Sequence, residues 1–147
     1  MVSKIIKNLL FLFLWCANIF SNDELAIKNI DIQNFETEVL QTALPLFFKI
    51  SVLWCSSCII LQQIFEEMVL EFDGKAIFAN ANVDTFKNQD LLQKIFHDYQ
   101  IIIGGFPVIL VFYQGKYLKL LYVRGQDKES LKKTFYTVLE NIEKGLL

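Results

Sequence analysis

Hydrophobic and polar residues follow one another along the chain in patterns that predict an alternation of helices and strands. Long apolar runs with few polar interruptions are typical of buried strands, whereas apolar residues at every third or fourth position indicate amphipathic helices. The predicted elements are, in order, a helix over 31–41, a strand over 45–54, a helix over 56–72, a strand over 75–84, a helix over 88–99, a hairpin of strands over 106–113 and 116–123, and a helix over 127–146. Residues 25–30 are a candidate for one more short strand.

This order of elements predicts the α/β class with a central mixed sheet of four to five strands flanked by helices on both faces. The strand over 45–54 is almost wholly apolar and is interrupted only by Lys49 and Ser51, as expected for a buried strand. Gln114-Gly115 separates two strand-like runs and predicts a tight hairpin turn. No repeat or linker divides residues 22–147, so we expect a single domain there.

The first 21 residues have the pattern of an export signal. Lys4 and Lys7 precede an uncharged, largely apolar stretch over 8–21, which is short for a membrane-spanning helix. We therefore expect residues 1–21 to be a signal peptide, with an uncleaved membrane anchor as the alternative. A lipidated cysteine is a weaker alternative, since Cys16 follows Trp15 rather than a small residue.

Composition and charge narrow the function further. The 147 residues are 54% hydrophobic, which is enough for a sizeable core, and the formal charge is −2. Removal of residues 1–21 would take away two lysines and no acidic residue, leaving a charge of −4. Such a chain has no basic surface for nucleic acid, so we expect no nucleic-acid partner.

Cys55 and Cys58 are the cysteines that remain after a signal peptide containing Cys16 is removed. A disulfide between residues three apart closes too small a loop to constrain the unfolded chain much, which argues against a purely structural role. A zinc site needs about four ligands, and beyond these cysteines the chain has one histidine, His97. We read His97 as a solvated helix residue and expect no metal and no cofactor.

The two cysteines lie where a buried strand ends and a helix begins. A sulfur at a helix N-terminus meets free N–H groups and the positive end of the helix dipole, which stabilise a thiolate. Cys58 lies one helical turn after Cys55 and is close enough to resolve a mixed disulfide. Ser56 and Ser57, between them, are candidates for tuning the pKa of the thiols but contribute hydroxyls and no charge.

The sequence Trp54-Cys55-x-x-Cys58 between a buried strand and a long helix, with Gly105-Phe106-Pro107-Val108 opening a hairpin, resembles the thioredoxin superfamily. The resemblance covers roughly residues 25–143 and implies a thioredoxin fold. It implies that Cys55 is the nucleophile and Cys58 the resolving cysteine.

The same resemblance implies a substrate-binding surface. Trp54 matches the tryptophan beside the dithiol, and Pro107 matches the cis-proline that faces the disulfide. Gly105 and Phe106 precede that proline, in the segment whose backbone would hold an extended substrate chain.

Three departures from the family pattern bear on the redox direction. Lys49 replaces the buried acid usually found six residues before the first cysteine, Gln63 replaces a helix-kinking proline, and the loop dipeptide is Ser-Ser. An inward-pointing Lys49 would favour thiolates and make the protein more oxidising, whereas an outward one would not affect catalysis.

We therefore predict an exported thiol–disulfide oxidoreductase, most simply in a bacterial periplasm, that acts as a reductase or exchanger on protein thiols and disulfides. A eukaryotic secretory location is the alternative. We expect a monomer with a redox partner protein, for which a membrane-embedded protein is one candidate. Two other functions stay open: a disulfide-forming oxidant, and a non-catalytic binding or chaperone module.

Overall fold

The computed structural model of this chain describes residues 26–123 and 125–147, so the predicted signal over 1–21 lies outside the described residues. The elements are β1 (Lys28–Asn29), a π-helical turn (Glu36–Leu40), β2 (Leu46–Ser51), α1 (Ser56–Glu71), β3 (Ile77–Asn82), α2 (Phe86–Tyr99), β4 (Val108–Tyr113), β5 (Lys116–Tyr122) and α3 (Lys128–Glu143). Within those ranges, none of the helices has the length and apolar character needed to span a bilayer.

The five strands form one mixed sheet in the order β1-β3-β2-β4-β5. Strands β1 and β2 both run parallel to β3, whereas β4 runs antiparallel to β2 and to β5. The predicted mixed sheet and element order are confirmed. Because β2 is the central strand, the loop at its carboxyl end lies over the middle of the sheet, a usual place for a functional site.

Each face of the sheet is covered by its own apolar core. One face carries a phenylalanine-rich cluster in which Phe47 and Phe78 of the sheet pack against Phe65 of α1 and Phe135 of α3. The opposite face packs Phe48 and Phe112 against Phe35, next to residues of α2. The sheet is therefore flanked by helices on both faces, as predicted.

The predicted helix over 31–41 is shorter than expected. The Asp31 carboxylate accepts hydrogen bonds from the backbone N–H groups of Gln33 and Asn34, at 2.8 and 3.0 Å, and the Asn34 side chain accepts one from the Asp31 N–H. These bonds hold a local turn that competes with helix formation. The chain then makes a single π-helical turn over Glu36–Leu40, which buries Val39.

The hairpin between β4 and β5 turns at Gln114-Gly115, as predicted. Both residues have positive φ angles, 49° and 74°, which is the requirement of the tight hairpin turns. A β-carbon at position 115 would lie 2.7 Å from the carbonyl oxygen of Leu40. Glycine at this position thus serves both the turn and its close approach to the π-helical turn.

Strand β4 begins at Val108, two residues later than predicted. Pro107 has no N–H to donate to a neighbouring strand, so it lies just outside the sheet. The peptide bond between Phe106 and Pro107 is cis. The segment before β4 consequently remains a loop at the same end of the sheet as the two cysteines.

Candidate active site

Cys55 is the N-cap of helix α1. Its backbone is extended, and its sulfur accepts a hydrogen bond from the backbone N–H of Cys58 at 3.1 Å. The Cys55 carbonyl oxygen also accepts from the Cys58 N–H, at 3.0 Å. The sulfur therefore occupies the position at which a side-chain acceptor satisfies the free N–H groups of a helix, where a thiolate would be stabilised.

Cys55 and Cys58 form a disulfide, with their Cα atoms 5.2 Å apart. Cys55 is 9% exposed and Cys58 is 4% exposed, so the resolving cysteine of the prediction is the more deeply placed of the two. The pair joins the apolar core on the α2 face of the sheet. Cys55 is therefore the more accessible of the two residues.

Trp54 stands out from the loop that connects β2 to α1. Its side chain is 78% exposed, and that of the preceding Leu53 is 71% exposed, although the neighbouring strand is fully buried. The Leu53 backbone N–H donates a hydrogen bond to the carboxylate of Asp84, which follows β3. This bond ties the loop to the next strand while its apolar side chains face solvent.

An open groove of about 510 Å³ runs beside the disulfide. One wall is the cysteine loop, from Trp54 to Ser57, and the other is the segment Ile103–Phe106 before β4. Pro107 is buried at the end of that segment. The structure thus brings the predicted residues Trp54, Gly105 and Phe106 to one groove with Cys55.

Lys49 points into the protein. Lys49 is 2% exposed, and its ammonium group donates a hydrogen bond to the side-chain oxygen of Gln62. The ammonium nitrogen lies 5.6 Å from the centre of the Phe65 ring. Burial lowers the pKa of Lys49 from 10.5 to about 8, and the negative charge of Glu66 partly opposes that shift. The inward orientation considered for this lysine is the observed one.

A second cavity, of about 420 Å³ and open to solvent, lies between the end of β2 and the first turns of α1. Lys49 and Cys58 both line it, together with Gln62 and Glu66 of α1. From the sequence, Gln62 and Glu66 belong only to a polar helix face. Their spacing of four and eight residues from Cys58 places all three along one side of the helix, and this spacing is the signal that could have identified them.

His97 lies on the exposed side of α2 and does not line the groove beside the disulfide. Its side chain is 86% exposed, and its ring nitrogen is 2.9 Å from the carboxylate of Asp98. This agrees with the prediction of a solvated helix residue. Across residues 26–123 and 125–147, no three His, Cys, Asp or Glu side chains are grouped so as to hold a metal ion.

Comparison with known proteins extends this description. A family model described as Thioredoxin matches residues 26–137 of the chain. The chain belongs to the thioredoxin family. The region matched by this family model includes β1 and most of α3, so the fold and the cysteine loop both lie inside it.

Individual thioredoxins match shorter stretches. A thioredoxin of Acidithiobacillus ferridurans is 30% identical over 91 residues, which are 62% of this chain and 77% of that protein. A thioredoxin of Chlorobaculum thiosulfatiphilum is 34% identical over 56 residues, which are 38% of this chain and 52% of that protein. Thioredoxin 2 of Chlorobaculum tepidum is 36% identical over 56 residues, which are 38% of this chain and 51% of that protein. The chain thus spans about half the length of the two Chlorobaculum relatives.

Proposed function

We propose that this thioredoxin-family protein is a thiol–disulfide oxidoreductase that exchanges disulfides with protein substrates through Cys55 and Cys58. The observation that carries the proposal is the Cys55 sulfur at the N-cap of α1, one helical turn from Cys58 and beside an open groove. A group held in that position is activated as a nucleophile, and a second sulfur is available to complete the exchange.

The exchange proceeds in two steps. The Cys55 thiolate attacks a substrate disulfide, forming a mixed disulfide and releasing one substrate sulfur as a thiolate. Cys58, as a thiolate, then attacks the Cys55 sulfur, which forms the Cys55–Cys58 disulfide and releases the second substrate sulfur. The substrate gains two electrons and the dithiol loses two, so no cofactor is required.

The groove supports a protein substrate in extended conformation. Trp54 and Phe106 border it, and the backbone of Gly104 and Gly105 is exposed along one wall. An exposed apolar side chain, Trp54, beside exposed backbone suits a substrate segment that offers both apolar side chains and backbone hydrogen bonds. On the basis of its N-terminal sequence, we propose that the protein is exported. We further propose that it works as a monomer and that a separate redox protein renews its dithiol.

A second candidate function is the oxidation of substrate thiols, and the burial of Lys49 favours it. At pH 7 a group with a pKa of about 8 is mostly protonated, so a positive charge lies in the cavity that Cys58 lines. A positive charge near the dithiol stabilises thiolates and hence the reduced form, which makes the disulfide a better oxidant. The carboxylate of Glu66 in the same cavity opposes this effect.

The exchange proposal predicts a trapped intermediate. Reduced Cys58→Ser protein, incubated with insulin, is expected to accumulate a mixed disulfide between Cys55 and an insulin chain, because the resolving sulfur is absent. Non-reducing electrophoresis and mass spectrometry detect the adduct, and dithiothreitol should reduce its mixed disulfide and release the insulin chain.

The matched control is the double variant Cys55→Ser with Cys58→Ser, which should form no adduct. Adduct on neither single variant, Cys55→Ser nor Cys58→Ser, would favour a non-catalytic binding module instead. Adduct on Cys55→Ser but not on Cys58→Ser would reverse the assigned roles of the two cysteines.

A further inference from the structure

Lys49 is a buried charged group that the exchange steps above leave unused. Of the buried residues in the part of the chain that the structure describes, it is the only charged one, the others with polar side chains being Ser51 and Asn88. Burying an unpaired charge costs free energy, so a buried lysine is expected either to have a charged partner or to serve a function. Its hydrogen-bond partner, Gln62, is neutral.

Cys58 must lose a proton before it can attack, and its burial makes that loss unfavourable. At 4% exposure it is nearly removed from water, and removal from water disfavours a charged thiolate. Cys55 has the helix N-terminus to stabilise its thiolate, and Cys58, one turn into the helix, lies past that position. The second exchange step therefore requires a group that takes the proton from Cys58.

The cavity shared by Lys49 and Cys58 joins these two groups. Lys49 donates a hydrogen bond to Gln62, which follows Cys58 by one helical turn. The cavity of about 420 Å³ that Lys49 and Cys58 both line has room for water. Ser51, Asn80 and Asn82 also line the cavity and provide hydrogen-bond partners that such water needs. The side chain of Ser51 itself lies 3.1 Å from Asn80 Oδ1.

We propose that Lys49 is the proton acceptor and donor for Cys58, acting through water in this cavity. The inference rests on the proposed exchange function but not on its direction. When a substrate disulfide is reduced, the neutral Lys49 amine takes the Cys58 proton, the Cys58 thiolate attacks Cys55, and the substrate sulfur leaves. When substrate thiols are oxidised, Cys58 leaves as a thiolate and the Lys49 ammonium returns the proton to it.

The pH dependence follows from the groups that face Lys49. Phe65 of α1 and Asn80 and Asn82 of β3 are uncharged, and Glu66 is the charged neighbour that raises the pKa of Lys49 against the larger effect of burial. With a pKa of about 8, roughly one Lys49 amine in ten is neutral at pH 7. As the pH rises through about 8, the fraction of Lys49 that can accept a proton from Cys58 should therefore increase, and the fraction that can donate one should decrease.

The test separates the attack by Cys55 from the resolution by Cys58 with the disulfide reagent dithiobisnitrobenzoate, whose released thiolate absorbs visible light. Mixing it with the fully reduced protein in a stopped-flow instrument should release a first thiolate when Cys55 attacks and a second when Cys58 resolves. In the wild type, we expect the rate of the second phase to rise through pH about 8. In Lys49→Met, the second phase should be about tenfold slower at neutral pH and lose that inflection. Without the lysine, resolution depends on the small fraction of Cys58 that ionises by losing its proton to water.

Two further variants distinguish proton transfer from other roles. Lys49→Arg keeps the charge, which still stabilises a Cys58 thiolate, but it cannot accept a proton, so its second phase should lose the inflection at pH about 8. Glu66→Gln replaces an exposed carboxylate, which accepts a hydrogen bond from the Gln62 side chain at 3.1 Å, with a neutral amide that can still accept it. It should move the inflection to lower pH because the charge that raises the pKa of Lys49 is gone. Lys116→Met, at the exposed start of β5, should leave both phases unchanged.

The possible failures are distinct. If the wild type releases no second thiolate, the exchange function itself is wrong. If both phases occur but Lys49→Met or Lys49→Arg matches the wild type in rate and pH profile, the inference about Lys49 is wrong. Should Lys49→Met not fold, an unshifted or absent inflection in the folded Glu66→Gln variant would overturn the inference.

Discussion

Cys55→Ser is expected to lower the rate of insulin disulfide reduction by dithiothreitol to that of the protein-free reaction. The hydroxyl oxygen of serine cannot form the mixed disulfide on which the exchange depends, although it can still accept the hydrogen bond at the start of α1. The turbidity of precipitating insulin chains measures the rate. Circular dichroism of the variant should match that of the reduced wild type.

His97→Ala is the control for this experiment. His97 is the chain's one histidine and is exposed on α2, so its removal should leave the rate unchanged. A normal rate in Cys55→Ser would exclude Cys55 as the nucleophile. A large loss in His97→Ala would show that a general base acts from outside the site described above.

Phe135→Ala is expected to have the largest effect on stability. The ring is fully buried between α3 and the sheet, with its centre 4.5 Å from that of Phe47 and 5.6 Å from that of Phe78. Truncation of a buried phenylalanine to alanine costs about 3–5 kcal/mol, because transfer energy is lost and a cavity remains. This is a large share of the roughly 5–15 kcal/mol by which a domain is stable.

Urea unfolding followed by circular dichroism measures this loss as a shift of the transition midpoint. Phe96→Ala removes the same side chain from α2, where it is 54% exposed, and should change the free energy of unfolding by less than about 1 kcal/mol. Equal effects of the two substitutions would contradict the position of Phe135 in the core.

The fold was predictable because the chain's local patterns agree with its tertiary structure. Apolar residues recur at helical spacing over 56–72, and the Gln114-Gly115 pair satisfies the positive φ angles of its turn. The first helix was predicted less well. Its periodicity is real, but the side chains of Asp31 and Asn34 bind the backbone locally and hold a turn in its place.

The two cysteines and the residues of the groove beside them were predictable from the sequence, whereas the orientation of Lys49 was not. Strand β2 is buried along its whole length, so no alternation of polar and apolar residues shows which way Lys49 points. Its orientation follows from the pairing of β2 with β3 and β4 and from the packing of α1 across them. The cavity that Lys49 shares with Cys58 is a product of that packing, whereas the sequence pattern places Gln62 and Glu66 only on the polar face of α1.

The reduction potential of the Cys55–Cys58 pair tests the central claim most directly. The oxidised fraction of the protein would be measured by thiol alkylation and mass spectrometry after equilibration in glutathione and dithiothreitol buffers of known potential. A redox-active dithiol should titrate as a two-electron couple between about −270 and −120 mV, and a value towards −120 mV would favour the oxidant. A potential below about −300 mV, typical of structural disulfides, would contradict the account.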